Sequence, residues 1–511
     1  MNVQLDGSSL TLNALVAIAD GDATVSLSPD TRARVSRSRA VVERKAAGGQ
    51  PVYGVNTGFG SLSDIAIASD QLQQLQVNLI RSHAAGVGDP LPVRTVRAMM
   101  ALRANVLAKG FSGIRLESLE RLLDLINCRV HPRIPRFGSV GASGDLAPLA
   151  HLAMVLIGEG EVLVDGPPGT TLARRPAIEA LREAAVEPVV LEPKEGLALI
   201  NGTQASTASL ALALWDADRV AVAADIVAAL SIDALQGSAH PFESRIHEAR
   251  GFHGQSTSAA NIASLLARSM LNRSHEHCGQ VQDAYSLRCA AQVHGAARDV
   301  LDFVRRTVEV ESNAATDNPM VFIEADEMIS GGNFHGAPVG MAADLLALAM
   351  VQFATISERR IERLVNPALS GLSPFLARQS GLQSGLMLAH VTAAALTAEA
   401  RRFAHPCSVD TIPTSAAKED HVSMSMSAAL KAVTSVTMVR GVIATECLCA
   451  CQALDLRAPL TSSAPLMRMH ARVRRDIPTL VDDRPPGPDI EQLALLIDQG
   501  VLQSSCDVPL G

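Results

Sequence analysis

Aromatic side chains are scarce in this chain. It holds one tryptophan, two tyrosines and eleven phenylalanines, 3% of its 511 residues. That poverty excludes an ordinary all-β core, which draws on aromatic and β-branched strand runs. Long blocks of one charge are also missing, and the net charge is −8. This excludes the basic footprint of a nucleic-acid binder. No apolar run is expected to reach membrane-spanning length, so no membrane partner is expected. The first basic residue is Arg32. The apolar piece near Leu15 therefore lacks the charged start of a secretory signal, and the cytoplasm is the expected compartment. The eight cysteines are scattered except for Cys447, Cys449 and Cys451. Those three lie in an apolar helical run with no histidine near, and read as buried small residues, not as a metal site.

Apolar residues make up 48% of the chain, mostly Ala, Leu and Val. Alanine and leucine are the best apolar helix formers. Ser28-Pro29-Asp30 predicts a helix start, with the helix running to Ala47 and stopping at Gly48-Gly49. A glycine-rich loop follows over 51–60. Ser69 is expected to cap a helix bearing Leu72, Leu75 and Leu79 on one face, with His83 one turn further on. Further helices fit 92–109 and 116–127. The short β content is expected in a hairpin over 161–172. Long helical windows follow near 204–235, 285–311, 338–365, 385–404 and 423–454, and a last helix begins at Asp489. The predicted fold is all-α: a long central helical bundle, residues 201–511, with a smaller, mostly helical N-terminal domain, residues 1–200. The apolarity of the long helices points to buried contacts between copies.

The N-terminal domain carries Gly138-Ser139-Val140-Gly141-Ala142-Ser143-Gly144-Asp145. Read alone, the stretch is a tight turn, a phosphate-cradling loop, or something less common. If the Gly144 nitrogen closed on the Ala142 carbonyl carbon and Ser143 lost its hydroxyl, an exposed methylene would result. That is an electrophile no ordinary side chain provides.

The two tyrosines stand out because the chain does not use tyrosine as filler. Tyr53 lies in the glycine-rich loop. Tyr285 lies three residues before Arg288, whose guanidinium suits a carboxylate. A phenol is a useful base only where its surroundings favour the phenolate. Glu419, in Lys418-Glu419-Asp420-His421, is either an acid at a helix N-terminus or a partner for a cationic or imidazole group.

Together, Tyr53 to Gly60, Ser82 to Gly86, Gly141 to His151, Asn201 to Ala205, the Tyr285–Arg288 segment, Gly331 to His335 and Glu419 to Met424 resemble the histidine ammonia-lyase branch of the aromatic amino acid lyases. The resemblance covers nearly the whole chain. It implies that Ala142-Ser143-Gly144 cyclises by itself to a 4-methylidene-imidazol-5-one group, with no metal or added coenzyme. It also implies a homotetramer whose active sites are built from more than one subunit. The expected reaction is elimination of ammonia from L-histidine to give trans-urocanate. In that reading Tyr53 is the candidate base, its phenolate favoured by an electropositive site. Arg288 holds the carboxylate, and His83 and Glu419 engage the imidazole, with Glu419 also moving a proton. Asn201, Gln282, Tyr285 and Phe334 line the site. The alternatives are a tyrosine or phenylalanine lyase or a 2,3-aminomutase using the same electrophile, with Ala284 before Tyr285 as their support. Outside enzymes, the alternative is a helical scaffold or phosphate-binding module whose loop never cyclises.

Overall fold

The computed structural model describes residues 1–48, 51–164, 173–275, 279 and 281–511. The fold is all-α, as the composition predicts. Among the described residues the strands are short, two to four residues each, in four small sheets. The predicted hairpin pairs Glu161–Val164 with Ala173–Pro176, and His131–Pro132 joins its other edge; residues 165–172 lie outside the described part. Strands also occur where none was expected. Asn2–Gln4 runs parallel to Thr24–Ser26, and Val87–Pro90 and Met320–Phe322 each find antiparallel partners.

The chain divides into two compact units. The first gathers Met1–Leu212, Arg305–Ala343 and Pro406–Leu430, so the segments bearing Phe334 and Glu419 fall in the same unit as the glycine-rich loop. Its early helices follow the sequence signals. The Ser28 side chain accepts from the Thr31 backbone and Pro29 opens the helix Pro29–Ala47. At Ser69 the expectation fails. The residue opens a 3-10 turn, Ser69–Gln71, and the α-helix begins at Leu72 and ends at His83. That helix buries Leu72, Gln76, Leu79 and Ile80. The Gln76 Oε1 accepts from the Gly196 backbone at 2.9 Å, which explains a polar residue on the buried stripe.

The second unit holds Ala213–Val304, Asp344–His405 and Lys431–Gly511. It contains most of three long helices, Gln204–Ala234, Ala337–Val365 and Ser425–Leu456. Two of them, Ala337–Val365 and Ser425–Leu456, are long and apolar enough to cross a membrane by length and composition. This corrects the expectation that no run reaches that length. Their most apolar windows are 72% and 67% buried within the fold, which fits core helices. Several buried charges in this unit are paired. Arg360 Nε meets Glu446 Oε1 at 2.6 Å, and Ser231 donates to the same oxygen. His294 Nδ1 lies 2.7 Å from Asp225 Oδ1, and Arg298 reaches Asp225 Oδ2 at 2.7 Å. Cys447, Cys449 and Cys451 are all buried, as read from their apolar run. The predicted helix over 285–311 is broken: Tyr285–Arg288 is a short turn of helix, and Ala290–Glu311 starts afresh after Cys289.

Candidate active site

The glycine-rich loop is held in a shape that only glycine permits. Gly141 and Gly144 have φ of +68° and +70°, in the left-handed region. A Cβ on Gly144 would lie 2.3 Å from the Gly202 oxygen, and one on Gly141 would lie 2.2 Å from Ser423 Oγ. Two distant segments grip this loop. Gly144 bridges Gly202, and the Asp145 backbone donates to the Gly202 oxygen at 2.7 Å. From the other segment, Ser423 Oγ donates to the Gly141 carbonyl at 2.9 Å and the Met424 backbone donates to the Val140 carbonyl at 2.8 Å. These bonds place Met424 at φ +55°. The following helix therefore starts at Ser425, not at 423 as the sequence suggests.

Asp145 locks the loop from beneath. Its buried carboxylate accepts from the Ser206 backbone at 2.7 Å, from Ser206 Oγ at 2.8 Å and from Ser139 Oγ at 2.9 Å. Burial raises its pKa, while the Ser206 and Ser139 bonds pull the other way. Asn201 Nδ2 donates to the Ser143 carbonyl at 2.9 Å. Behind it, the buried Arg103 donates to the Asn201 carbonyl at 2.9 Å and to Gln204 Oε1 at 2.8 Å. Burial brings the Arg103 pKa down to about 10. The loop fits ring closure: its turn is tight, its glycines are required, and the carbonyl that the ring would retain already has a donor.

Tyr53, His83, Ser143, Asn201, Phe334 and Glu419 line one cavity of about 220 Å³. Six predicted residues from six separate stretches of the sequence are thus brought together. The Ser143 hydroxyl donates to Glu419 Oε1 at 2.5 Å, and the Thr414 hydroxyl donates to Glu419 Oε2 at 2.7 Å. A carboxylate so close to Ser143 repels an anion, which argues against the phosphate-cradle reading. It also removes Glu419 from the role of helix N-terminal acid, because the helix begins six residues later.

His83 Nδ1 lies 2.8 Å from the Leu79 carbonyl and 3.0 Å from Ser82 Oγ. Burial lowers its pKa, against the raising effects of Leu79 and Glu419. A neutral imidazole donating from Nδ1 to a carbonyl keeps Nε2 as an acceptor. Asn201 Oδ1 is buried with no hydrogen-bond partner among the described residues, a second acceptor beside the cavity.

Tyr53 departs from its expected electrostatics. Its pKa is raised by burial and by the Glu419 charge, and only the Gly60 N–H, 3.4 Å from the phenol oxygen, works in the other direction. The residues of this cavity do not supply the electropositive setting that favours a phenolate. The cation expected to help, Arg288, belongs to the second unit. So do Gln282 and Tyr285, and none of the three lines the Ser143 cavity. Arg288 lies over the Tyr285 ring at 4.7 Å, so the shared face predicted for them is real although the long helix is not. Gln282 lines a different cavity, of about 390 Å³.

Thr414 was invisible as a site residue, because a threonine after proline carries no chemical signature. Asn318, from the polar loop over 313–319 whose composition suggests function, also lines the cavity, and so does Ser415, which carries no such signal. Among the described residues no group of three or more His, Cys, Asp or Glu side chains could hold a metal ion.

Comparison with known proteins agrees with this geometry. The family described as aromatic amino acid lyase matches residues 10–475. Histidine ammonia-lyase of Anaeromyxobacter dehalogenans is 55% identical over 503 residues, which are 98% of this chain and 99% of that one. The Myxococcus xanthus enzyme of the same name is 51% identical, covering 98% and 97%. The crystal structure of histidine ammonia-lyase from Trypanosoma cruzi superposes with a TM-score of 0.92 at 43% identity, covering 100% of this chain and 96% of that one. A tyrosine aminomutase from Streptomyces globisporus superposes at 0.94 with 37% identity, covering all of both chains. The chain belongs to the aromatic amino acid lyase family.

Proposed function

We propose that this chain eliminates ammonia from L-histidine to give trans-urocanate. One observation carries the substrate: His83 and Glu419, two polar partners for an imidazole, face the cavity that holds Ser143. The relatives named histidine ammonia-lyase support the same reading. Family membership implies an electrophile of the 4-methylidene-imidazol-5-one type, here from Ala142-Ser143-Gly144, and no further coenzyme. Once formed, that group makes the substrate nitrogen a better leaving group.

The chain's own residues do the rest. His83 Nε2 accepts an imidazole N–H, and Glu419 accepts or returns a proton at its carboxylate. Asn201 Nδ2 fixes the Ser143 carbonyl, and its Oδ1 accepts from the substrate amine. Tyr53 takes the β-proton at its phenol oxygen. Phe334 closes the apolar side. The substrate carboxylate falls to Arg288, with Tyr285 and Gln282 beside it, all from another copy of the chain in a homotetramer. Tyr285 is 71% exposed and Val281 94% exposed, and a partner's site would cover them.

A substrate panel tests the assignment. Histidine should be converted with a kcat/KM roughly 10⁴-fold above phenylalanine or more, because a phenyl ring leaves the site's polar groups unpaired. Faster release of cinnamate or coumarate would overturn the substrate. A β-amino acid product would favour the aminomutase reading, which the tyrosine aminomutase likeness makes the natural competitor. Ser143→Ala should abolish activity and leave the chain with the mass of its sequence.

A further inference from the structure

We propose that Glu419 has a second task, earlier than substrate turnover: it is the acid that expels the Ser143 hydroxyl when the electrophile forms, with Thr414 as its positioning residue. The inference rests on the reading that Ala142-Ser143-Gly144 cyclises, and concerns which group drives the second water loss.

The Ser143 Oγ donates to Glu419 Oε1 at 2.5 Å. Hydroxide is a poor leaving group, so the hydroxyl needs a proton as it departs. Glu419 is held for that. Thr414 and Glu419 face each other in an isolated antiparallel bridge, with the Thr414 backbone donating to the Glu419 carbonyl at 2.9 Å. The Thr414 hydroxyl occupies Oε2, which leaves Oε1 for Ser143. The turn joining the two, Ser415-Ala416-Ala417, has φ of +49°, +53° and +62°. Three consecutive left-handed residues without a glycine form only where the surroundings impose them, and such turns concentrate at functional sites.

The chemistry balances. Ring closure joins the Gly144 nitrogen to the Ala142 carbonyl carbon. The carbonyl oxygen leaves as the first water, carrying the N–H protons of Gly144 and Ser143. In the second loss the Ser143 Cα–H bond breaks and its electron pair forms the Cα=Cβ double bond as the Cβ–Oγ bond breaks. Ser143 donates to the Glu419 carboxylate in the resting contact, so Glu419 first takes a proton from solvent water at Oε1. The Ser143 hydroxyl turns to accept it, and as that proton moves to Oγ the group leaves as water. The Cα proton passes to solvent water and replaces the one Glu419 took.

Intact mass, followed over time after synthesis of the full chain, reads each loss separately. The native chain should become lighter by two waters; if it loses neither, the cyclisation reading fails and not merely this inference. Glu419→Gln should stop at one water, or lose the second on the order of 100-fold more slowly. Thr414→Val keeps the carboxylate and should also slow the second loss, with Thr414→Ser restoring it. Circular dichroism and sedimentation confirm that each variant folds and assembles. Loss of both waters at the native rate in folded Glu419→Gln would overturn the proposal. So would a Thr414→Val chain that matures like the native one.

Discussion

Tyr53 is the residue whose environment most constrains the mechanism. The cavity of one chain raises its pKa, through burial and the Glu419 charge. A base with such a phenol needs a cation brought from elsewhere, and Arg288 of another copy is the candidate. The chain has only two tyrosines, so ultraviolet titration of tyrosinate can resolve them. For an isolated chain the Tyr53 step should lie above the ordinary value of about 10, and Tyr53→Phe should delete it. In the assembled enzyme a step below that value would show a partner's cation at work. Tyr53→Phe should also lower kcat by roughly 10²–10⁴-fold if the phenol takes the proton. Unchanged kcat would remove Tyr53 from that role.

Sequence alone reached the residues of the Ser143 cavity whose chemistry is distinctive: Ser143 in its glycine frame, His83 beside Ser82, Glu419 in a charged cluster, and Tyr53, one of two tyrosines. It missed Thr414 and the Ser415-Ala416-Ala417 turn. Alanine carries no turn signal, and a left-handed alanine is imposed by bonds to distant segments, which periodicity cannot reveal.

At the level of elements, helices with strong local signals were legible to within a residue or two, as Pro29–Ala47 and Leu116–Asn127 show. Errors came where tertiary bonds overrode propensity. The Ser425 helix loses its first two predicted residues, 423 and 424, because the Met424 backbone is taken by Val140. The three left-handed residues before Glu419 cost about 1–2 kcal/mol each, a local conflict that the surrounding fold has to offset.

The helices of the second unit carry a different kind of cost, buried charge. Burial opposes the Asp225 charge, but Arg298 and His294 hold its pKa below the usual range. Burial lowers His294, against Asp225, while Arg360 and Glu446 exert opposing influences on it. Asp225→Asn should destabilise the fold by about 3–5 kcal/mol, because it leaves the half-buried Arg298 without its counter-charge and takes the carboxylate from the buried His294. Urea unfolding near neutral pH measures this, and a loss under 1 kcal/mol would show the cluster is dispensable.

His294 also fixes a sign. Its folded pKa lies below its unfolded value of about 6.5, so between the two the unfolded state binds more protons. The His294 contribution is intact above that value and is lost as pH falls through the window beneath it. Stability measured across that window should therefore fall with pH, and His294→Gln should flatten the slope.

For the whole molecule, the sequence supplied the fold class but not the grouping of segments. The first unit draws residues 305–343 and 406–430 to the N-terminal part, and nothing in local composition marks those returns. The same grouping leaves Tyr285, Gln282 and Arg288 out of the Ser143 cavity. A shared site predicts complementation. Ser143→Ala and Arg288→Ala chains should each be nearly inactive alone, yet co-expressed they should regain activity, since some mixed sites combine an intact loop with an intact arginine. Mixed assemblies as inactive as their parents would show that each chain builds its site unaided.

The grip on the loop has a consequence in time. Ser423 holds Gly141 across 282 positions of the chain. At roughly 5–20 residues per second, a ribosome needs on the order of 15–55 s to travel from one to the other. For that interval the nascent loop has the Asn201–Gly202 side of its grip but not the Ser423–Met424 side. If the proposed cyclisation needs both, a chain that stops before the 414–425 segment should keep the full mass of its sequence.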